Sequence, residues 1–223
     1  MQPPFIIGVF MMATLPLQFG LLCFVSLFTM IDPIGALPIY TAMTTRLSHR
    51  ESRRVAFRAV LTAWCVLILF ALTGRFVFEF FGISVNSLRI VGGVVFFIMG
   101  YEMLEARLTR TQSDEESVSE YIEDIAITPL GIPLIAGPGA IAMVIVLMNE
   151  TTGNLEKQIA LLMAITAVLG LTFVFLISAR QVMHALGHSG NKVLMRVMGL
   201  IVMAIAVEFF FTGLQPIVQS MLR

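Results

Sequence analysis

A single carboxylate interrupts the first apolar stretch of this 223-residue chain. Asp32 is the only charged residue between Met1 and Thr45, and Pro33 follows it directly. If the stretch lies in a membrane, an ionised side chain at its centre costs roughly 2.5 to 3.5 kcal/mol, which favours a functional role. Asp32 would then bind an ammonium group or a coupling cation. Alternatively, it caps the helix that begins at Pro33, and the two roles are compatible.

Two hydroxyl side chains and a glycine accompany this carboxylate. Ser26 and Thr29 precede Asp32 at three-residue steps, which places them on one face of a helix with it. They could line a site there, although such hydroxyls more often donate to carbonyls of their own helix. Gly35 follows Asp32 by three residues.

A second apolar stretch is interrupted by Gly137-Pro138-Gly139. A proline breaks the helical hydrogen bonding, and the N–H groups of the half-helix that follows can bind a carboxylate. The alternative is a kink that permits close helix packing. The candidate substrate-binding residues share a position at one of the two breaks: Ser26, Thr29, Asp32, Pro33, Gly35, Gly137, Pro138 and Gly139.

Enzymatic chemistry is not expected. The sequence contains no Gly-x-Ser-x-Gly, His-Glu-x-x-His or Walker motif, so we predict no catalytic residue. His184 and His188 are spaced for a metal on a helix, but they lie in a predicted short basic loop without a carboxylate partner. We therefore predict no metal and no cofactor. The net charge of zero gives no basic surface for nucleic acid.

The composition identifies an integral membrane protein. Hydrophobic residues make up 58% of the chain and charged residues only 13%, about half the usual charged share. Mean hydropathy is +0.93. A span needs roughly 20 apolar residues. Six stretches of suitable length predict six spans: about Leu15–Thr45, Val55–Gly74, Ser84–Leu104, Ile125–Asn149, Gln158–Ala179 and Val193–Gly213.

The distribution of Lys and Arg predicts the orientation. With six spans, ten of the 14 basic residues fall on one side, which the positive-inside rule makes cytoplasmic. Both termini would then lie outside, and we interpret the first stretch as a retained span rather than a removed signal peptide. The longest loop, about 105–124, would be cytoplasmic and carries the acidic run Asp114-Glu115-Glu116.

A weak internal repeat divides this single transmembrane domain. The pairs Asp32/Gly137, Arg89/Arg196 and Glu102/Glu208 recur at similar spacing, which predicts repeat one at about 15–104 and repeat two at about 125–215. Three spans per repeat would insert in opposite orientations. The sequence therefore predicts an all-α membrane protein of six helices, two inverted three-helix repeats with broken first helices. This architecture is typical of secondary transporters, in which one half rocks against the other around a midplane site.

The residues around both breaks resemble signatures of the MarC family, also described as a small neutral amino acid transporter family. The similar stretches are Phe28–Ile39, Thr128–Ile141, Phe81–Ser84, Leu88–Gly93, Arg196–Gly199 and Gly213. The resemblance implies a bacterial inner-membrane protein of six spans. It also implies, for some members, transport of glycine, alanine and similar amino acids.

Two functions follow from these patterns. The first is a secondary transporter or facilitator of small neutral amino acids, with Asp32 at the ammonium group and the backbone around Gly137 and Gly139 at the carboxylate. The second is a membrane scaffold or regulatory protein that does not transport, whose breaks serve packing. The expected partners are a small-molecule substrate such as glycine or alanine and membrane lipid. The sequence leaves a homo-oligomer open.

Overall fold

The computed structural model describes residues 16–45, 47–105, 118–151 and 153–221. These residues form helices, and no strand occurs among them. The helices are α1 (Pro16–Ile31), α2 (Pro33–Thr44), α3 (His49–Phe81), α4 (Val85–Leu104), α5 (Val118–Ile125), α6 (Pro138–Glu150) and α7 (Leu155–Met221). A segment with two prolines, Ala126–Ile135, follows α5 and leads to α6. We call it the proline segment.

The described residues contain five helical stretches that could span a membrane, or six if one bent pair of helices counts as a span. Five stretches are long and apolar enough to cross a membrane: Pro16–Thr44, His49–Gly74, Asn86–Leu104, Leu155–Ala179 and Met195–Met221. The sixth consists of Ser119–Ile135 and Pro138–Glu150, bent by 57°. This bent pair runs alongside α3 in the same direction. Glu123, near its start, pairs with Arg58, and Ile145, near its end, packs against Gly74 further along α3. Arg58 and Gly74 are about 24 Å apart along a helix, so the bent pair extends along α3 for about that length.

The first break occupies one residue. Asp32 has φ 45° and ψ 68°, and it is the only non-glycine residue with positive φ among those described. Pro33 occupies the first turn of α2, where its missing N–H costs nothing. The chain therefore resumes its helix at once, and α1 and α2 together form the single span Pro16–Thr44.

The second break extends from the proline segment to Gly137, which precedes α6. Thr128 and Ile132 have extended backbone angles, with φ near −132° and −133°. Each precedes a proline, and a residue before proline avoids the helical region. Both prolines, Pro129 and Pro133, follow cis peptide bonds. The Ala136 N–H still reaches the Gly131 carbonyl at 2.9 Å, so part of the interrupted hydrogen bonding is recovered.

Helix α7 contains two spans, the first arm (Leu155–Ala179) and the second arm (Met195–Met221). Phe175 in the first arm contacts Phe28. Phe209 in the second arm and Met30 both lie next to Gly139. A straight helix would separate Phe175 and Phe209 by about 51 Å, so α7 must reverse direction between its arms. Residues 180–192, where the sequence analysis placed a short loop, are nevertheless helical.

The two predicted halves interlock. In the first half, α1 packs on the first arm of α7, with Gly20 against Ala160. The bent pair packs on α3, and α4 packs on the second arm, with Gly93 against Ala206. Spans of the first half touch the second half far more than they touch one another. The spans of the first half therefore do not form a packed body of their own, and the rocking of one half against the other stays a prediction.

Contacts between the first spans of the two predicted halves show their relative direction. The Tyr121 hydroxyl donates to the Met43 carbonyl at 3.1 Å, while Met30 lies beside Gly139. The first span of one half therefore runs antiparallel to the first span of the other. The two-fold relation between the halves stays a prediction.

Part of the predicted acidic loop is helical. Val118–Ile125 forms α5, because Tyr121, Ile122 and Ile125 are buried on one side while Glu123 and Asp124 are exposed. Because these apolar side chains are buried against the other helices, the segment belongs to the start of the bent pair rather than to a loop. The acidic run at 114–116 lies outside the described residues.

Candidate functional site

A cavity of about 250 Å³ lies beside the first break. Its wall comes from α1, α2, α4, the proline segment and the second arm of α7. The lining residues are Thr29, Met30, Ile31, Asp32, Gly35, Ala36, Ile39, Phe96, Met99, Leu134, Val202, Ile205 and Phe209. Asp32 is the only charged residue among them, so the cavity offers one carboxylate in an apolar enclosure.

Asp32 caps the helix that follows it. The Gly35 N–H donates to Asp32 Oδ1 at 3.1 Å, and the Ala36 N–H donates to the Asp32 carbonyl at 3.2 Å. Among the described residues, none donates a hydrogen bond to Asp32 Oδ2. The capping role weighed from the sequence is therefore present, and it leaves one carboxylate oxygen for a ligand.

Two properties of this position restrict the residue type. The left-handed backbone at Asp32 is tolerated by Asn and Asp better than by other residues with a side chain. The same short polar residues are the preferred N-caps. Gly35 is required for a related reason, since a Cβ there would approach the Asp32 Cγ to 2.9 Å and collide with the carboxylate.

The second break is covered by aromatic rings. A Cβ on Gly137 would stand 2.8 Å from Cζ of Phe96, and a Cβ on Gly139 would stand 2.6 Å from Cζ of Phe209. The two rings meet edge to face, with centroids 6.2 Å apart. Both rings also line the cavity. The aromatic pair Phe96/Phe209 thus separates the cavity from the start of α6.

The start of α6 lacks the kind of cap that α2 has. Gly137 is the N-cap residue, and no described side chain caps this end of the helix. Pro138 packs against Gly92, where a Cβ would approach the Pro138 Cγ to 2.9 Å. The close packing weighed from the sequence is therefore present at Gly137, Pro138 and Gly139, and none of the three lines the cavity.

The remaining candidate residues differ in their positions. Thr29 lines the cavity, while its hydroxyl donates to the Val25 carbonyl at 2.9 Å, as hydroxyls in helices often do. Ser26 is half-buried and does not line the cavity, and Pro33 is buried at the start of α2. The structure therefore brings together Thr29, Asp32 and Gly35 at the cavity.

Several lining residues were not predicted. Phe96, Leu134, Val202 and Phe209 are apolar residues in apolar spans, and only the fold places them opposite Asp32. Gly92 and Phe96 lie one turn apart on α4, and both pack against the start of α6. The described residues contain no group of three or more His, Cys, Asp and Glu side chains that could hold a metal.

Comparison with known proteins identifies the family. Residues 17–218 match the family described as MarC family integral membrane protein. The chain belongs to the MarC family. The two stretches that resemble MarC signatures, Phe28–Ile39 and Thr128–Ile141, are the two breaks described above. The chain is thus an integral, multi-pass membrane protein.

Relatives of similar length occur in archaea and bacteria. A UPF0056 membrane protein of Methanocaldococcus jannaschii is 35% identical over 206 residues, covering 92% of this chain and 90% of the relative. One from Pyrococcus abyssi is 36% identical over 192 residues, covering 86% and 92%. One from Bacillus subtilis is 35% identical over 203 residues, covering 88% and 96%. These names state no substrate, and no solved structure matches the chain.

Proposed function

We propose that the protein is a secondary transporter or facilitator of small neutral amino acids such as glycine and alanine. The observation that carries this proposal is the apolar cavity with one carboxylate, Asp32, at a helix break within a span. Breaks of this kind are tolerated in membranes where protein or a water-filled cavity meets the freed backbone groups. Transporters use such breaks to bind substrates.

The carboxylate supports binding of an ammonium group. Oδ1 of Asp32 accepts from the Gly35 N–H, and Oδ2 faces no donor among the described residues. An ammonium group placed at Oδ2 would form a charge-assisted hydrogen bond in an apolar enclosure, where such bonds are strong. The ligand would also satisfy the charge of Asp32, which is otherwise costly in a span.

The walls support a small substrate with a neutral side chain. The volume of about 250 Å³ lies just below the range of about 300 to 1,000 Å³ that is typical of sites for drug-sized ligands. Phe96, Met99, Val202 and Phe209 present apolar surface and no partner for a charged side chain of the substrate. Glycine and alanine fit this combination of size and polarity.

The substrate carboxylate requires a second contact. The N-terminus of α6 is uncapped, and the aromatic pair Phe96/Phe209 covers it. Separation of the two rings would join this helix end to the cavity and bring its N–H groups to a carboxylate. Both rings belong to the α4–second arm pair, so we propose that this pair moves against the other spans to give alternating access.

The proposal includes the membrane in which the protein lies and its orientation there. The distribution of Lys and Arg supports an orientation with the α2–α3 connection in the cytoplasm and both termini outside. The family resemblance supports the inner membrane of a bacterium. No catalytic step is needed, and a solute gradient would drive transport. A reporter fused at the C-terminus should be active outside the cytoplasm, and activity inside would contradict this orientation.

The test is uptake by proteoliposomes that contain the purified protein. We expect accumulation of radiolabelled glycine and alanine, with little uptake of acetate, which lacks the ammonium group, or of lysine, whose side chain is charged. Asp32→Asn keeps the cap and removes the charge, so uptake should fall at least tenfold while the protein remains folded. Uptake by Asp32→Asn at the wild-type rate would remove Asp32 from the substrate site.

One observation favours a second function. The packed junction at Gly137 and Gly139 leaves no open path from the cavity to the start of α6, as expected of a scaffold that does not transport. A scaffold would show no uptake of any amino acid in the same proteoliposomes, and Asp32→Asn would then leave its behaviour unchanged.

A further inference from the structure

A second concavity, unrelated to the cavity at Asp32, lies where α3 begins. This groove of about 1100 Å³ is lined by Arg50, Glu51, Arg53, Arg54, Phe57, Arg58, Ser119, Ile122 and Phe173. We call it the basic groove. Its walls come from α3, α5 and the first arm of α7, so it lies between helices at one end of the spans.

Three arginines of the basic groove are available to an anion. Arg58 pairs with Glu123. Glu51 accepts from the Ser48 N–H at 2.8 Å as part of the capping box that starts α3. Arg50, Arg53 and Arg54 are exposed and form no salt bridge with any residue that the structure describes. Their spacing of three and four residues places them on one side of α3.

Apolar surface continues from these arginines into the span. Phe57 is 57% exposed and meets Phe173 edge to face, with ring centroids 6.3 Å apart. Leu61 and Trp64, one and two turns further along α3, are also exposed. Along one helix face, therefore, positive charge at the membrane boundary gives way to aromatic and aliphatic surface at the depth of acyl chains.

We propose that the basic groove binds the headgroup of an anionic phospholipid. The phosphate lies among Arg50, Arg53 and Arg54, and an acyl chain follows Phe57 and Leu61. Basic pockets between spans bind anionic headgroups in this way, and guanidinium groups suit phosphate because they donate two parallel hydrogen bonds. A free phosphate would use the arginines alone. The exposed aromatic surface beneath them favours the lipid over the free anion.

The experiment compares anions with and without acyl chains. The full-length protein, purified in a neutral detergent, is mixed with phosphatidylglycerol, phosphatidylcholine or glycerol phosphate. Bound molecules are counted by native mass spectrometry. We expect saturable binding of phosphatidylglycerol at least tenfold tighter than that of the other two. Arg54→Gln should weaken it about fivefold, and Arg50→Gln/Arg53→Gln/Arg54→Gln about a hundredfold.

The matched control is Arg196→Gln, which removes the same charge from an exposed position outside the groove. It should bind phosphatidylglycerol as the wild type does. Equal weakening by Arg196→Gln and Arg54→Gln would overturn the proposal, since binding would then follow total charge. Equal binding of phosphatidylglycerol and phosphatidylcholine would also overturn it. Binding of glycerol phosphate as tight as that of the lipid would reassign the groove to soluble anions.

Discussion

At Asp32 the helix is interrupted for one residue and the span continues, whereas at Gly137 two helical pieces meet with a bend of 57°. The first break carries its own hydrogen-bond acceptor, because Asp32 caps α2, and it faces a cavity. The second has no side-chain cap and lies beneath Phe96 and Phe209. A break that satisfies its own N–H groups can border open space. A break whose N–H groups have no acceptor of their own is either covered by packed side chains or must receive an acceptor from a ligand.

The largest difference in stability between variants at the two breaks should come from Gly139→Val. A side chain there meets the Phe209 ring, so we expect a loss of about 1–3 kcal/mol through overpacking. Gly170→Val is the matched control, since no described atom lies within 4 Å of a Cβ on that helical glycine. Stability can be followed by thermal exposure of the buried thiol of Cys23, in a Cys65→Ala background because Cys65 is exposed.

A second variant identifies the cause of any loss at Gly139. Phe209→Ala removes the ring that the valine would strike, so Gly139→Val should cost less in the Phe209→Ala background than alone. If Gly139→Val and Gly170→Val melt at the same temperature, the second break is not a packed junction and the comparison fails.

At the first break, Asp32→Ala and Asp32→Asn should differ. Alanine loses the cap, at about 1 kcal/mol, and adopts left-handed backbone at roughly 1 kcal/mol more. Asparagine keeps both features, so its stability should stay within about 0.5 kcal/mol of the wild type. Ser84→Ala removes the N-cap of α4, where the backbone is extended, and should cost the cap alone. Thermal unfolding of the three variants measures this, and equal losses for Asp32→Ala and Asp32→Asn would refute the capping role.

The smallest effects concern the hydroxyls before Asp32. Thr29→Val and Ser26→Ala should each change stability by less than about 0.5 kcal/mol. Only Thr29 lines the cavity, so Thr29→Val should lower glycine uptake a few-fold while Ser26→Ala leaves it unchanged. The proteoliposome assay separates the two, and an equal loss for both variants would show that the site extends along α1 beyond the cavity.

The sequence predicts the spans and the breaks because both depend on local chemistry. Apolar length places the spans, and Pro33, Pro133 and Pro138 place the interruptions. Long-range packing has no such local signal. Nothing in the sequence states that Phe209 covers Gly139, or that α4 pairs with the second arm of α7. For the same reason the sequence predicts Asp32 at the site but cannot separate Gly139, which packs against a ring, from Gly35, which borders the cavity.

The interlocking of the halves affects how the protein is made. The ribosome completes α1 long before the first arm of α7, which supplies Ala160 opposite Gly20 and Phe175 opposite Phe28. During synthesis, α1 and α3 must therefore wait in the membrane with their partner surfaces unfilled, or be held by insertion factors. A chain stopped after α4 would insert its spans yet lack most of its tertiary contacts. We expect that the two halves, supplied as separate polypeptides, can still form the contacts described above.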